Sequence, residues 1–486
     1  MTFDALSSTG IAVYGIQIIS LSGTVLQVTS ATVNKSTTAG VSVQNSSADI
    51  NFDDLSITSA GTTGLVLNSN TGGQFSAGSV TINGAGNNGI DLTNNQNTVA
   101  ITNATVSNPT SAGIYAAGNS ASSDLAFSQV IIDGGVNGLL VENNAGSLAI
   151  NGGTIGATTP ANGRSVLIDG GTDTINVAAD ITNTIGNSVR VNNRTGGSID
   201  IAGNINDTGA GINVSNNSGG SITFSGGTKT LNTGTNDAVI LANNTGSTVN
   251  ITNGGLDIDT TTGTGLNASG GGTIAVSGAG NTITAASGTA LDLDGVTADM
   301  AFDALSSTGS AGNGIQINNL SGTGLQVTSA TVSSSTATGV SVQNSSADIN
   351  FDDLSITSAG TTGLALNGNT AGQFSAGSVT INGAGSNGID LTNNQNTISV
   401  SSATVTNATD AGIHVADNTS SSDLTFAQVT IDGGVNGLFV ENNAGSLAIN
   451  GGTIGSTTST SGSSVRIDAG TDTIDVAADI TNTAGN

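Results

Sequence analysis

The sequence predicts an all-β fold: a single-stranded parallel β-helix of roughly 20 coils, each of about 25 residues with three short strands. Three observations predict it. Residues 1–187 align without a gap with residues 300–486, and 146 of those 187 positions are identical. Within the long repeat, units of the form Gly-apolar-x-apolar recur in twelve steps across 299 residues, beginning Gly15-Ile16-Gln17-Ile18, Gly40-Val41-Ser42-Val43 and Gly64-Leu65-Val66-Leu67. Between these units, apolar and polar residues alternate over four or five positions, which is the period of a strand.

Each coil reads in the same order. Gly40-Val41-Ser42-Val43 is the first strand, Ala48 to Phe52 the second and Leu55-Ser56-Ile57 the third. Asn-Gly, Gly-Gly and Asn-Asn pairs separate the strands, and these residues suit turns. No segment carries a 3.6-residue period long enough for a helix, and the two prolines, Pro109 and Pro160, sit in turns. One coil cannot bury its apolar side alone; stacked coils form a continuous core. The long repeat divides the chain into a first unit, 1–299, and a second, incomplete copy, 300–486, continuous with it. Met1 aligns with Met300, interior to the repeat, so the expectation is a piece of a longer array or an incomplete gene product.

Two interior ladders are expected. Phe3, Phe52, Phe75 and Phe127 are spaced near multiples of the coil and predict a Phe stack. Asn94-Asn95, Asn143-Asn144, Asn192-Asn193, Asn216-Asn217, Asn243-Asn244 and Asn318-Asn319 follow the first strand and predict amides bonded from coil to coil.

Composition narrows function. There are 72 Gly, no Cys, no Trp, and 6 Lys plus Arg against 33 Asp plus Glu, for a formal net charge of −27. So few cations cannot line a nucleic-acid path, and anionic membrane surfaces are disfavoured. No thiolate metal site exists. No run of 18 apolar residues is present, so no helix is expected to span a bilayer, and MTFDALSSTG lacks a secretory leader's pattern. Disorder is excluded because 36% of residues are hydrophobic and regularly placed.

In each first strand the x residue should point outward. The resulting column reads Gln17, Ser42, Val66, Asp91, Tyr115, Leu140, Leu167, Arg190, Asn213, Ile240, Asn267 and Asp292; the second copy gives Gln316, Ser341, Ala365, Asp390, His414, Phe439 and Arg466. Large groups facing water at Tyr115, Leu140, Leu167, Arg190, His414, Phe439 and Arg466 make these the candidate binding residues. A row of flat aromatic and apolar groups suits sugar rings or another chain's side chains. The plainer alternative is a drifting or covered surface column.

No cofactor is expected. Surface carboxylates, such as Asp53 and Asp54 or Asp292, Asp294, Asp299 and Asp303, could share a weakly held Ca²⁺, but screening by diffuse cations explains them more simply. Glu142 and Glu441 are expected to be solvated. His414 has no obvious acid partner, and no triad, phosphate loop or zinc cluster is present. The best catalytic patch is Arg190 and Arg194 over Asp169, and it is too thin to predict an enzyme.

The Gly-Ile/Leu-x-Leu/Val-x-Asn-Asn coil signature, low Lys and absent Cys resemble the right-handed β-helix repeats of bacterial autotransporter passengers and filamentous adhesins, over the whole chain. The resemblance implies right-handedness, export to the surface or exterior of a bacterium (outer-membrane association included) and contact with glycans or cell-surface proteins. The reading is a non-enzymatic adhesin-like rod, a stalk and multivalent binding surface that does not itself span the membrane and can associate laterally or end to end. Its alternatives are an inert spacer or surface-layer component, and a polysaccharide-degrading enzyme, since lyases share this fold.

Overall fold

The computed structural model describes residues 1–471 and 473–482. Two compact units divide the chain: Met1–Asn232 with Asn243–Asn253, and Thr233–Ala242 with Gly254–Asn486. Each is a right-handed parallel β-solenoid. One face of each coil is a short strand of the Gly-apolar-x-apolar type, such as Val41–Gln44, Ile90–Thr93 and Ala112–Ala117. The first unit has nine such strands and the second ten among the described residues.

The second and third strands expected of each coil often run together. Thr98–Ser107 is one bent strand in which Val99, Ile101, Ala104 and Val106 are buried while Thr102 and Asn103, in succession, face out. Two outward residues in a row make the corner and reset the alternation without breaking the ladder. Val99, Ile101, Ala104 and Val106 stay in parallel register with Leu125, Phe127, Val130 and Ile132. Where Gly153 takes φ +104° the ladder breaks, and Ser147–Ile150 and Gly153–Ile155 are separate strands. Stacked Val, Ile and Leu fill the interior, each worth about 1.5–3 kcal/mol on full burial. The glycine ahead of the short strand is demanded by close approach. A Cβ on Gly113 would overlap the Ile132 side chain and lie 2.7 Å from the Gly138 carbonyl.

The expected Phe stack is only partly formed. Phe52 and Phe75 meet at 5.9 Å between ring centroids, and Phe351 and Phe374 at 6.1 Å. Phe127 is instead flanked in register by Ile101 and Ile150, and Phe3 is 37% exposed beside Val28. Phe3, Phe52 and Phe127 share one register position, but the coils between them fill it with Val28, Ala77 and Ile101, and Phe75 stands at the neighbouring position beside Ile50.

The Asn ladder is present, and its two residues divide the work. Asn94, Asn143, Asn216 and Asn243 take positive φ and turn the chain, a conformation Asn tolerates. The next residue points inward. Asn95 Nδ2 donates to the Leu67 carbonyl at 2.8 Å, and the Asn95 backbone N–H donates to Asn119 Oδ1 at 2.9 Å. The series Asn70, Asn95, Asn119, Asn144 is reproduced as Asn369, Asn394, Asn418, Asn443. At Asn192-Asn193 and Asn318-Asn319 the second Asn is the turning residue, so the inward position falls to Arg194 and Leu320.

Candidate binding column

The short strands place the predicted residues in one row per unit. In the first unit Asp91, Tyr115, Leu140, Leu167, Arg190 and Asn213 are successive register partners. In the second, Asp390, His414, Phe439 and Arg466 are. The sequence predicts a column facing water, but the column does not stand free in it. Most members are half-buried, and Ser42 and Ser341 are buried outright. Part of the cover comes from the same strand: Gln343, two residues on, donates to the Ser341 hydroxyl at 3.0 Å.

The second unit builds a cluster around His414. Its Nδ1 lies 3.2 Å from Asp390 Oδ1 and its Nε2 3.1 Å from Glu441 Oε1. The imidazole packs on Phe439 at 5.3 Å between centroids, and the Arg466 guanidinium sits 4.7 Å above the same ring. Arg466 also pairs with Asp468. The hydrogen bond to Asp390 raises the His414 pKa; burial opposes it, and the charges of Asp390 and Glu441 assist. Burial alone would push the Asp390 carboxyl up. Hydrogen bonds from His414, Thr392 and Asn387, with the imidazolium charge, hold it below the ordinary carboxylate range. An open groove of about 320 Å³ runs beside the cluster, lined by Asp410, Asn436, His414, Phe439, Glu441 and Arg466.

The first unit solves the same positions differently. The Tyr115 hydroxyl donates to Glu142 at 2.9 Å. Burial, that hydrogen bond and the nearby Glu142 and Asp91 charges push the Tyr115 pKa up to about 12, so it stays a neutral donor. Asp91 is held by Thr93 and Asn88, but burial dominates and raises its pKa. Leu140 and Leu167 continue the row to Arg190.

Several expectations are corrected. His414 has two acid partners, and Glu142 and Glu441 are ligated instead of merely solvated. Each Glu lies two residues past its own coil's column member, on the same outward face; a diagonal reading of the register would have found both pairs. The Arg190, Arg194 and Asp169 patch does not exist as a unit. Arg194 is 1% exposed, pairs with Asp173 and donates to the Gly170, Asp173 and Gly196 carbonyls. Asp173 accepts from Asn144, and the Arg194 backbone N–H donates to Asn217 Oδ1, so this pair joins two stretches of the amide ladder. Asp169 accepts from Asn192 and Asn193 at 2.7 and 2.8 Å. Lys229 is likewise buried, on the Gly226 and Thr252 carbonyls, and burial lowers its pKa to about 8. No group of three metal-ligating side chains assembles among the described residues. Asp303 accepts the Gly280 and Asn281 N–H groups, and Asp53 the Gln27 amide. No helix among the described residues is long and apolar enough to cross a membrane.

Fold and column together define a β-solenoid that presents one row of mixed aromatic, aliphatic and charged side chains in each unit. No family model, curated protein or solved structure matches the chain.

Proposed function

We propose that the chain is a non-enzymatic binding scaffold of the adhesin type, exported and displayed at or beyond a bacterial cell surface, with the outward column as its contact face. One observation carries this reading. Between the two near-identical copies, core positions such as Ile114/Ile413, Leu139/Leu438 and Val141/Val440 repeat, while the column beside them changes at Tyr115/His414, Leu140/Phe439 and Leu167/Arg466. A constant scaffold with varied outward groups suits display. The groups are those of contact surfaces: aromatic rings, branched aliphatics and guanidinium. His414 supports the non-catalytic reading, since both ring nitrogens are engaged by carboxylates and neither is left free to take a proton from a substrate. Repeated shallow contacts along a scaffold gain affinity through avidity, with glycans or cell-surface proteins as partners. The test is a glycan and cell-binding screen of the full chain against a variant with serine at Tyr115, Leu140, His414 and Phe439. The expected result is loss of binding with unchanged circular dichroism. Unchanged binding would favour the spacer reading.

A further inference from the structure

Lysine and arginine total six, of which Lys35 is exposed to solvent. Arg194 and Lys229 are buried on internal acceptors, and Arg466 is neutralised by Asp468. Arg164 and Arg190 are different. Among the described residues neither forms an ion pair, neither side chain donates a hydrogen bond, and the Nε of each is buried without a partner. They are also neighbours. Arg164 opens the strand whose Leu167 is in register with Arg190. Burial and the Arg190 charge both lower the Arg164 pKa, so the two cations repel across the patch.

The surroundings share the same deficit. Asn137 faces Arg164 in register and Asn213 faces Arg190; both amide oxygens are buried and unpartnered. Asn137 is 8% exposed. Leu140 and Leu167 lie between them as an apolar floor. The nearest outward carboxylates are committed elsewhere, Asp169 to two asparagine amides and Glu142 to Tyr115. Unsatisfied buried polar atoms are costly, and a cluster of them around two unneutralised cations marks a place built for a ligand. The second copy lacks the pair, carrying Ser463 and Arg466 at the positions of Arg164 and Leu167.

We propose that this patch is a subsite for a sugar carrying one oxyanion, a carboxylate or a sulfate, on an otherwise neutral glycan. Guanidinium forks take such groups in paired hydrogen bonds. The part-exposed leucines offer an apolar floor to the C–H face of the ring. A single charge is specified because a chain of net charge −27 repels extended polyanions. The inference rests on the outward column being the ligand face, and narrows it to one chemistry in one unit.

The test titrates 3′-sialyllactose, its methyl ester, 3′-sulfolactose and lactose into the full chain by calorimetry at physiological salt. The variants are Arg164→Gln, Arg190→Gln, Arg190→Lys and Lys35→Ser, each checked for an unchanged unfolding transition. Sialyllactose is expected to bind at least tenfold more tightly than its ester or lactose. Either glutamine variant should lose that tenfold, the lysine variant should retain part of it, and Lys35→Ser, which removes an exposed cation outside the column, should bind as wild type. Sulfolactose binding with the same arginine dependence supports the site as a reader of charge; its failure beside a binding sialyllactose assigns the site to carboxylate. Equal binding of ester and acid, arginine-independent binding, or no binding of either acidic sugar overturns the proposal. Neutral glycans that bind through Tyr115 or Phe439 would leave the column reading standing and remove this one.

Discussion

Tyr115 and His414 occupy equivalent points of two near-identical stretches of chain, with an Asp one coil before them and a Glu 27 residues after. Tyr115 makes one hydrogen bond, to Glu142, and leaves Asp91 to its own coil. His414 bridges both acids. One substitution therefore reverses the neighbouring carboxylate: burial raises Asp91, whereas the imidazole and its companions lower Asp390. The comparison teaches that the scaffold holds position constant and the column residue alone sets local chemistry.

The strongest way to break the comparison is to damage the buried ion pair of the first unit. Asp173→Ala leaves the buried Arg194 without its acid and should cost about 3–5 kcal/mol. Hydrogen exchange should show local opening around residues 144–217 and an unchanged ladder at Asn369 to Asn443. Local readouts are needed because a long solenoid need not unfold in two states.

A shared element should give a shared cost. Asn119→Ala and Asn418→Ala each remove an amide that spans three coils, and each should lose about 1–3 kcal/mol, equal within error. Unequal losses would mean that the two stretches differ in more than their surfaces.

The pH response should separate them. The folded His414 pKa lies above its ordinary 6.5, so its contribution is full below about pH 6.5 and lost as pH rises through the folded midpoint. The folded Asp390 pKa lies below 3.8, so its contribution is present above 3.8 and lost as pH falls through the folded midpoint. Opening free energies near residues 390–441, corrected for intrinsic exchange, should therefore be largest in mild acid. His414→Tyr should abolish the loss on going to pH 8, and Tyr115→His should confer it on residues 91–142. The smallest effect expected is that of Phe439→Leu, about 0.5–1.5 kcal/mol from ring stacking, with greater mobility of Arg466.

Much of this was legible in the residues. Period 2 with a Gly-led strand every coil located the core, because burial requires it at each step. Adding about one coil length to 115 or 414 located the column. The diagonal partners were not, because Glu142 and Glu441 belong to the row through a two-residue offset that simple column counting skips. Arg194 read as a surface cation because nothing in its local sequence shows that it takes an inward position otherwise held by Asn. The bent strands read as two because their corners lie in side-chain alternation, while the backbone ladder continues through them.

The central claim is that the column residue sets the chemistry of a constant scaffold, and the single histidine allows a direct test. Histidine-selective ¹⁵N labelling of the full chain gives one titrating residue, His414. The expected midpoint lies above 6.5 and falls when Asp390 becomes Asn. A midpoint at or below 6.5, indifferent to Asp390→Asn, would contradict it.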